Sequence, residues 1–367
     1  MPRLARLQGA RRAAEDQAEL AARLRSRASG DREVATRSFD VIVLGGGAAG
    51  LFCAIEAGKR GRRVAVVEGQ PRVGRKIEIS GGGRCNFTNR VVGAEHFLSE
   101  NPDFARSALA RYGPDHFIAL VDRYGIAWHE KTLGQLFCDG SSRQVIDLLV
   151  AECRDAGVEI RVGQTVTDVT RDGRFAVDTD GGRLEAESLV VATGGLSIPK
   201  LGASDLGYRL ASRFGLRVVA PRPGLVPFRF AADDLPRWGD LAGVSFPTRV
   251  RVAGERAEFR EAGLFTHRGL SGPAFLQISS YWREGRELVV DFAPDRDIAG
   301  ELLAARDRSI ELANFLAGVL PRRLALRWCE LHGGSRPLRS YSPAELESIA
   351  AHLRAWTVGP ATTEGFA

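Results

Sequence analysis

With 367 residues, 44% hydrophobic and 26% charged, the chain has apolar material for two or three cores under a solvated surface. It has no run near the roughly 18 apolar residues of a membrane span and no apolar signal core at its start, so a cytoplasmic protein is expected. Residues 1–38 hold nine arginines against five acids and so carry +4 of the net +6; the near-neutral remainder offers no concentrated basic face, and a nucleic-acid partner is not expected.

Residues 1–38, rich in Ala and Arg with sparse leucines, read as a frayed helix or a disordered extension. Residues 39–44 form a continuously apolar, β-branched run broken only by Asp40, as in a strand buried on both faces of a parallel sheet. Glycines follow, then a helical pattern over 51–60 and a second buried strand over 63–68, which makes a βαβ unit. A helix is expected over 103–123, and another running to about residue 156, capped by Ser141 and Ser142. Strands are expected over 160–169, 175–179 and 184–191, the last two joined by a turn at Asp180, Gly181 and Gly182. Residues 199–296, with short strands at 248–252 and 287–292, read as an inserted β domain. Residues 301–331 and 343–356 are helical by period and suggest a small helical domain over 297–356.

The motif VIVLGGGAAG sets Gly45, Gly47 and Gly50 in G-x-G-x-x-G between a strand and a helix. Gly45 suits the tight turn, Gly47 a close backbone approach to a pyrophosphate, and Gly50 close helix–strand packing. The pyrophosphate would meet the helix amino terminus and its unpaired amides, at Ala48 and Ala49. Glu68 closes the second strand 18 residues after Gly50, where a carboxylate accepts from two ribose hydroxyls and repels a 2′-phosphate. At the end of a later strand, Thr193, Gly194 and Gly195 again bring backbone toward a cofactor. Cys53, Cys85, Cys138, Cys153 and Cys329 never approach C-x-x-C spacing, so neither a disulfide framework, a metal site nor a redox dithiol is expected.

The stretch GRKIEISGGGRCNFTN from Gly74, together with ATGGLSIPKLG from Ala192 and LFTHRGLSGPAFLQIS from Leu264, resembles the bacterial HI-0933-like family of FAD-dependent oxidoreductases. The resemblance implies an α/β fold: a Rossmann-type FAD-binding domain of the two-dinucleotide-fold kind over 39–198, interrupted by a β domain and a helical domain. It implies non-covalent FAD and hydride transfer with a small organic substrate, an amine or an unsaturated ketone, and NAD(P)H as a transient donor. Arg75 and Lys76 would neighbour the phosphates, and the 81–83 glycines with Arg84 and Asn86 the flavin ring. The full set of expected cofactor contacts is Gly45, Gly47, Ala48, Ala49, Gly50, Glu68, Arg75, Lys76, Gly81, Gly82, Gly83, Arg84, Asn86, Val166, Thr193 and Gly194. Catalytic candidates are Arg84, Cys85 and His267, the last as a proton donor or as the residue holding its turn.

Two other readings use the same unit. A nicotinamide-dependent dehydrogenase would need a catalytic Tyr-Lys or His-acid pair, which has no convincing spacing here. A flavin-binding module without turnover is the other. Two departures from the family pattern stand out. Leu206 precedes the Gly207–Tyr208 pair where relatives carry an acid, and residues 357–367 hold only the start of a return to the flavin domain. From the latter, a more exposed ring and weaker FAD retention are expected. Nothing in the sequence sets an oligomeric state.

Overall fold

The structure, a computed structural model, describes residues 36–366, so the reading of the arginine-rich extension falls almost wholly outside the described residues. The chain divides into two compact units. One comprises residues through His96, Asp103–Gly195 and Ser204–Leu216; the other comprises Phe97–Pro102, Leu196–Ala203 and residues from Arg217 onward. Among the described residues, no helix is long and apolar enough to cross a membrane.

The first unit runs β1 (Arg37–Leu44), α1 (Ala48–Lys59), β2 (Val64–Glu68), α2 (Arg75–Ile79), β3 (Asn86–Asn89), α3 (Arg106–Arg111), α4 (Pro114–Arg123), β4 (Trp128–Glu130), β5 (Gln135–Cys138), α5 (Arg143–Asp155), β6 (Glu159–Val162), β7 (Val166–Asp172), β8 (Arg174–Thr179), β9 (Gly182–Val191) and α6 (Leu206–Arg213). Its main sheet has the order β6-β2-β1-β9-β8-β7. The first four strands are parallel, with Val43 opposite Val66 and Val190, and β8 and β7 extend the sheet antiparallel. The apolar runs of β1 and β2 are explained by burial on both faces: Ile42, Leu44, Ala65 and Val67 share one core with Leu210 of α6, while Val43, Val64 and Val66 share another with Ala54 of α1. This is the expected Rossmann-type α/β architecture.

Four local expectations are corrected. The helix over 103–123 breaks at Gly113, because Pro114 cannot continue α3 and instead opens α4. The strand over 160–169 is two strands that turn at Gly163, φ +66°. Of the two expected caps, Ser141 Oγ does accept from the Arg143 amide at 3.2 Å, but the Ser142 hydroxyl donates to the Glu78 carbonyl at 2.7 Å and ties α5 to α2. The 301–331 helix is three short helices of the second unit.

That unit contains β10 (Phe228–Arg229), α7 (Leu235–Trp238), β11 (Ser245–Val252), β12 (Glu258–Phe265), β13 (Gly269–Ser271), α8 (Pro273–Ser279), β14 (Leu288–Asp291), α9 (Ile298–Ala304), α10 (Leu312–Leu316), α11 (Arg322–Leu331), α12 (Pro343–Arg354), β15 (Trp356–Val358) and β16 (Thr362–Thr363). Its seven strands are ordered β15-β14-β11-β12-β13-β10-β16. Seven strands laid flat would span about 29 Å from first to last. Yet Val358 of β15 and Thr362 of β16 are four residues apart, a reach of at most about 14 Å. The sheet must therefore curl until its rims approach. Its hollow is filled by aromatic side chains, with Trp356 4.8 Å from Trp238 and 5.2 Å from Phe292 between ring centroids, and α9 to α12 contribute to the same core.

The start of α12 carries a reciprocal cap. Ser342 Oγ accepts from the Glu345 amide, and Glu345 accepts from the Ser342 amide at 2.7 Å. These bonds, joined by Arg336, hold the Glu345 carboxyl down at about 2, against an ordinary value of 4.5. A depressed acid stabilises the fold above its unfolded pKa, and that contribution is lost as pH falls through the folded one. Melting curves of wild type and Glu345→Gln should therefore differ above pH 4.5 and converge toward pH 2. A constant gap down to pH 2 would refute the assignment.

Candidate functional site

The fingerprint turn connects β1 to α1, and its glycines are fixed by backbone rather than by side chains. Gly45 has φ +105°, and a Cβ on it would strike the Ala192 carbonyl; a Cβ on Gly50 would strike the Gly45 carbonyl oxygen. The Ala192 amide donates to the Leu44 carbonyl at 2.8 Å, so the end of β9 lies against the same turn. At Gly47, the residue preceding α1, no atom lies within 4 Å of where a Cβ would stand. Ala48 and Ala49, in the first helical turn, are exposed. The helix amino terminus thus fronts open space, as an anion-binding terminus must.

Glu68 ends β2 with both carboxylate oxygens anchored: the Gly46 amide donates to one at 2.7 Å and the Gln70 amide to the other at 2.8 Å. A carboxylate has about four acceptor positions, so capacity for ribose hydroxyls remains. The Gly74 amide donates to the Gly46 carbonyl at 2.8 Å, which docks Arg75 and Lys76 on the glycine turn, and Lys76 Nζ lies 3.8 Å from the Cβ position of Gly194. Two polar atoms here are buried without a partner, Arg75 Nε and Thr193 Oγ1. Buried polar atoms are nearly always satisfied, so orphans beside an open glycine turn fit a polar, anionic group such as a dinucleotide. The Gln164 amide donates to the Glu68 carbonyl at 3.0 Å, and Val166, two residues on, packs against the core that holds Leu44 and Val67. Gln164 was not foreseen. Its Oε1 is a further buried orphan, and a lone glutamine in a loop carries no sequence signal for that role.

Past the short α2, a second cluster forms at Gly81, Gly82 and Gly83, with φ +57°, +66° and +84°. Three successive left-handed residues are open only to glycine at no cost. A Cβ on Gly81 would meet the Asn86 amide at 2.6 Å, whereas Gly82 and Gly83 face open space. Cys85 continues at φ +50°, a conformation a non-glycine residue holds only when its surroundings impose it. They do: the Ser142 amide donates to Gly83 at 2.8 Å, Cys138 to Arg84 at 2.9 Å, and Cys85 itself to Ser80 at 3.0 Å. Arg84 and Asn86 are exposed on either side, while Cys85 is 6% exposed. Burial pushes the Cys85 thiol up against a smaller opposing hydrogen bond from Ser80, so it keeps its proton at neutral pH.

His267 belongs to the second unit, exposed in the turn between β12 and β13. The turn is closed by the neighbouring Thr266, whose hydroxyl accepts from the Arg268 and Gly269 amides at 3.2 and 3.0 Å. The Asp205 carboxylate, next to the family departure at Leu206, accepts from Arg209 at 2.9 Å.

Comparison with known proteins adds the chemistry. The family model described as HI0933-like protein Rossmann domain matches residues 39–364. The chain is 47% identical over 334 residues to the ribosomal RNA dihydrouridine synthase of Escherichia coli (strain K12), covering 89% of this chain and 83% of that one. Its identity to the ribosomal RNA dihydrouridine synthase of Haemophilus influenzae is 39%, covering 89% and 82%. To the 3-dehydro-bile acid delta(4,6)-reductase of Clostridium scindens it is 28%, covering 88% and 83%. Two expectations are overturned by the first two relatives, whose names put their reaction on ribosomal RNA: a small amine or ketone as substrate, and the absence of a nucleic-acid partner. The charge argument failed because a near-zero sum over the body says nothing about how its cations are placed, and because bases are also held by stacking, which needs no net charge.

Proposed function

Since the chain belongs to the HI0933-like family and is an FAD-dependent oxidoreductase with a Rossmann-type fold, we propose that it reduces uridine to dihydrouridine in ribosomal RNA. The observation that carries this is 47% identity to the Escherichia coli enzyme along nearly all of both chains. A cytoplasmic location belongs to the same proposal.

Saturating the C5–C6 bond of uracil adds a hydride and a proton. The C4 carbonyl polarises that bond, so hydride goes to C6 and the proton to C5. FAD bound to the chain would supply the hydride, with a nicotinamide nucleotide as the class of reductant. The chain's own residues do the rest. The turn at Gly45, Gly47 and Gly50, with the exposed amino end of α1 at Ala48 and Ala49, holds the pyrophosphate beside Arg75 and Lys76. Glu68 takes the ribose, Val166 flanks it, and Thr193 with Gly194 lines the approach from β9. The glycine run at 81–83, with Arg84 and Asn86, supports the ring and its charge. Cys85, which shares that run, is the candidate donor of the proton to C5, although its side chain packs in the apolar core beside Ile77, Val121 and Cys138.

Two measurements test this. FAD-loaded protein with NAD(P)H and ribosomal RNA lacking dihydrouridine should produce nucleosides 2 Da heavier than uridine; an RNA that stays unmodified while the flavin cycles would reject the reading. Glu68→Ala should weaken FAD about tenfold or more, since each charge-assisted bond lost is worth about 1.5 to 3 kcal/mol. Titration of the apoprotein with FAD checks it, and equal affinity in the variant would remove Glu68 from the ribose.

A further inference from the structure

A cavity of about 380 Å3 lies among α1, α4 and α5 in the first unit. Phe52, Glu56 and Lys59 face it at the 3- and 4-residue spacing of one helix side, while Leu51 of the same helix is buried in the core. One wall is aromatic. Phe52 meets Tyr112 edge-on at 4.8 Å between centroids, and Tyr112 stacks on His116 at 5.2 Å and 28°. The Gly113 amide donates to His116 Nδ1 at 3.1 Å, which fixes the ring.

The other wall is charged. Glu152, 7% exposed, accepts from Lys59 at 2.6 Å on one oxygen and from Arg123 at 2.6 Å and the Tyr124 hydroxyl at 2.9 Å on the other. A buried carboxylate needs a cation, but this one has two, and the trio keeps one net positive charge. The Lys59 and Arg123 side chains remain 47% and 60% exposed, with more N–H groups than Glu152 consumes. Glu56, the other acid lining the cavity, has Arg60 at 3.9 Å.

An aromatic stack with an outer face to offer, beside surplus cationic donors in a space of ligand size, matches a base joined to a phosphate. We propose that this cavity takes one unstacked nucleotide of the ribosomal RNA substrate, its base on Tyr112 and His116 and its phosphate at Lys59 and Arg123. The inference rests on the RNA reading above and adds a contact on the flank of α1, distinct from the glycine turn at that helix's amino end.

The test uses the full FAD-loaded chain and protein-free ribosomal RNA in filter binding, with Tyr112→Leu and His116→Ala. Bound FAD, read from its visible absorbance, checks that each variant is folded. RNA affinity should fall roughly tenfold for Tyr112→Leu, in the range of one lost base stack, and less for His116→Ala. The salt dependence of binding should stay as in wild type, because no phosphate contact is removed. If wild type binds and reduces RNA and both folded variants bind it equally well, the cavity assignment is overturned while the function stands. Weakened NAD(P)H binding with unchanged RNA affinity overturns it as well. If wild type neither binds nor reduces RNA, both readings fall together.

Discussion

Cys85→Ala should lower dihydrouridine formation by about 10²- to 10⁴-fold, the usual contribution of a positioned acid, with FAD still bound. Alanine keeps the β-carbon and the left-handed backbone strain, so the change removes the thiol and leaves the Gly81 to Asn86 path in place. The direction of the thiol's shift adds a second signature. Because burial raises its pKa, the acid form persists to higher pH, and wild-type turnover should decline only when the thiol finally ionises. The variant's residual rate should lack that alkaline decline. Single-turnover assays, starting from reduced flavin and following nucleoside mass across pH, measure both. A variant within twofold of wild type would take Cys85 out of the proton step.

Gly50→Ala should empty the cofactor site. Its new methyl would collide with the Gly45 carbonyl oxygen, a backbone atom held in turn by close packing on Ala192 and unable to swing aside. The helix has to back away from β1, and such overpacking costs about 1 to 3 kcal/mol. That retreat carries the α1 amino terminus off the pyrophosphate position, so the loss of bound ligand lowers apparent stability further. Purified Gly50→Ala should show little visible flavin absorbance and no rise in Tm on adding FAD. Gly47→Ala is the informative contrast: its methyl meets no protein atom, so the apoprotein should melt as wild type does while FAD binding still suffers. A yellow, FAD-saturable Gly50→Ala would show that the fingerprint packing tolerates the methyl.

The first βαβ unit was legible because its signals are local. An apolar run broken only by Asp40, the glycines at 45, 47 and 50, and the acid at 68 lie within 30 residues, and both-face burial leaves the later part of β1 and most of β2 no polar side. Legibility failed where one residue outweighs a period. Gly113–Pro114 cuts a helical pattern in two, and Gly163 reverses what reads as one strand. It failed again where partners are far apart in sequence. Ser142 looks like a cap, yet its hydroxyl is claimed by Glu78, 64 residues earlier, and Glu152 meets Lys59 across 93 residues. The orphaned Gln164 and Thr193 oxygens belong to the same class, since burial without a partner exists only after folding. The proposed RNA substrate leaves no mark in composition, because 51 basic residues against 45 acidic ones can still be dealt unevenly over a surface.

The two rims of the curled sheet are occupied by β15 and β16, which lie at sequence positions 356–363. During synthesis, β14, β11, β12, β13 and β10 can leave the ribosome and pair while both outer strands are still in the exit tunnel. For that interval the nascent sheet has two bare edges, at β14 and β10, each able to recruit a strand from a neighbouring chain. One short segment then seals both at nearly the same moment. Folding of this unit is therefore timed by β15 and β16, and a protease that nicked between Val358 and Thr362 would loosen one rim without unpairing the other.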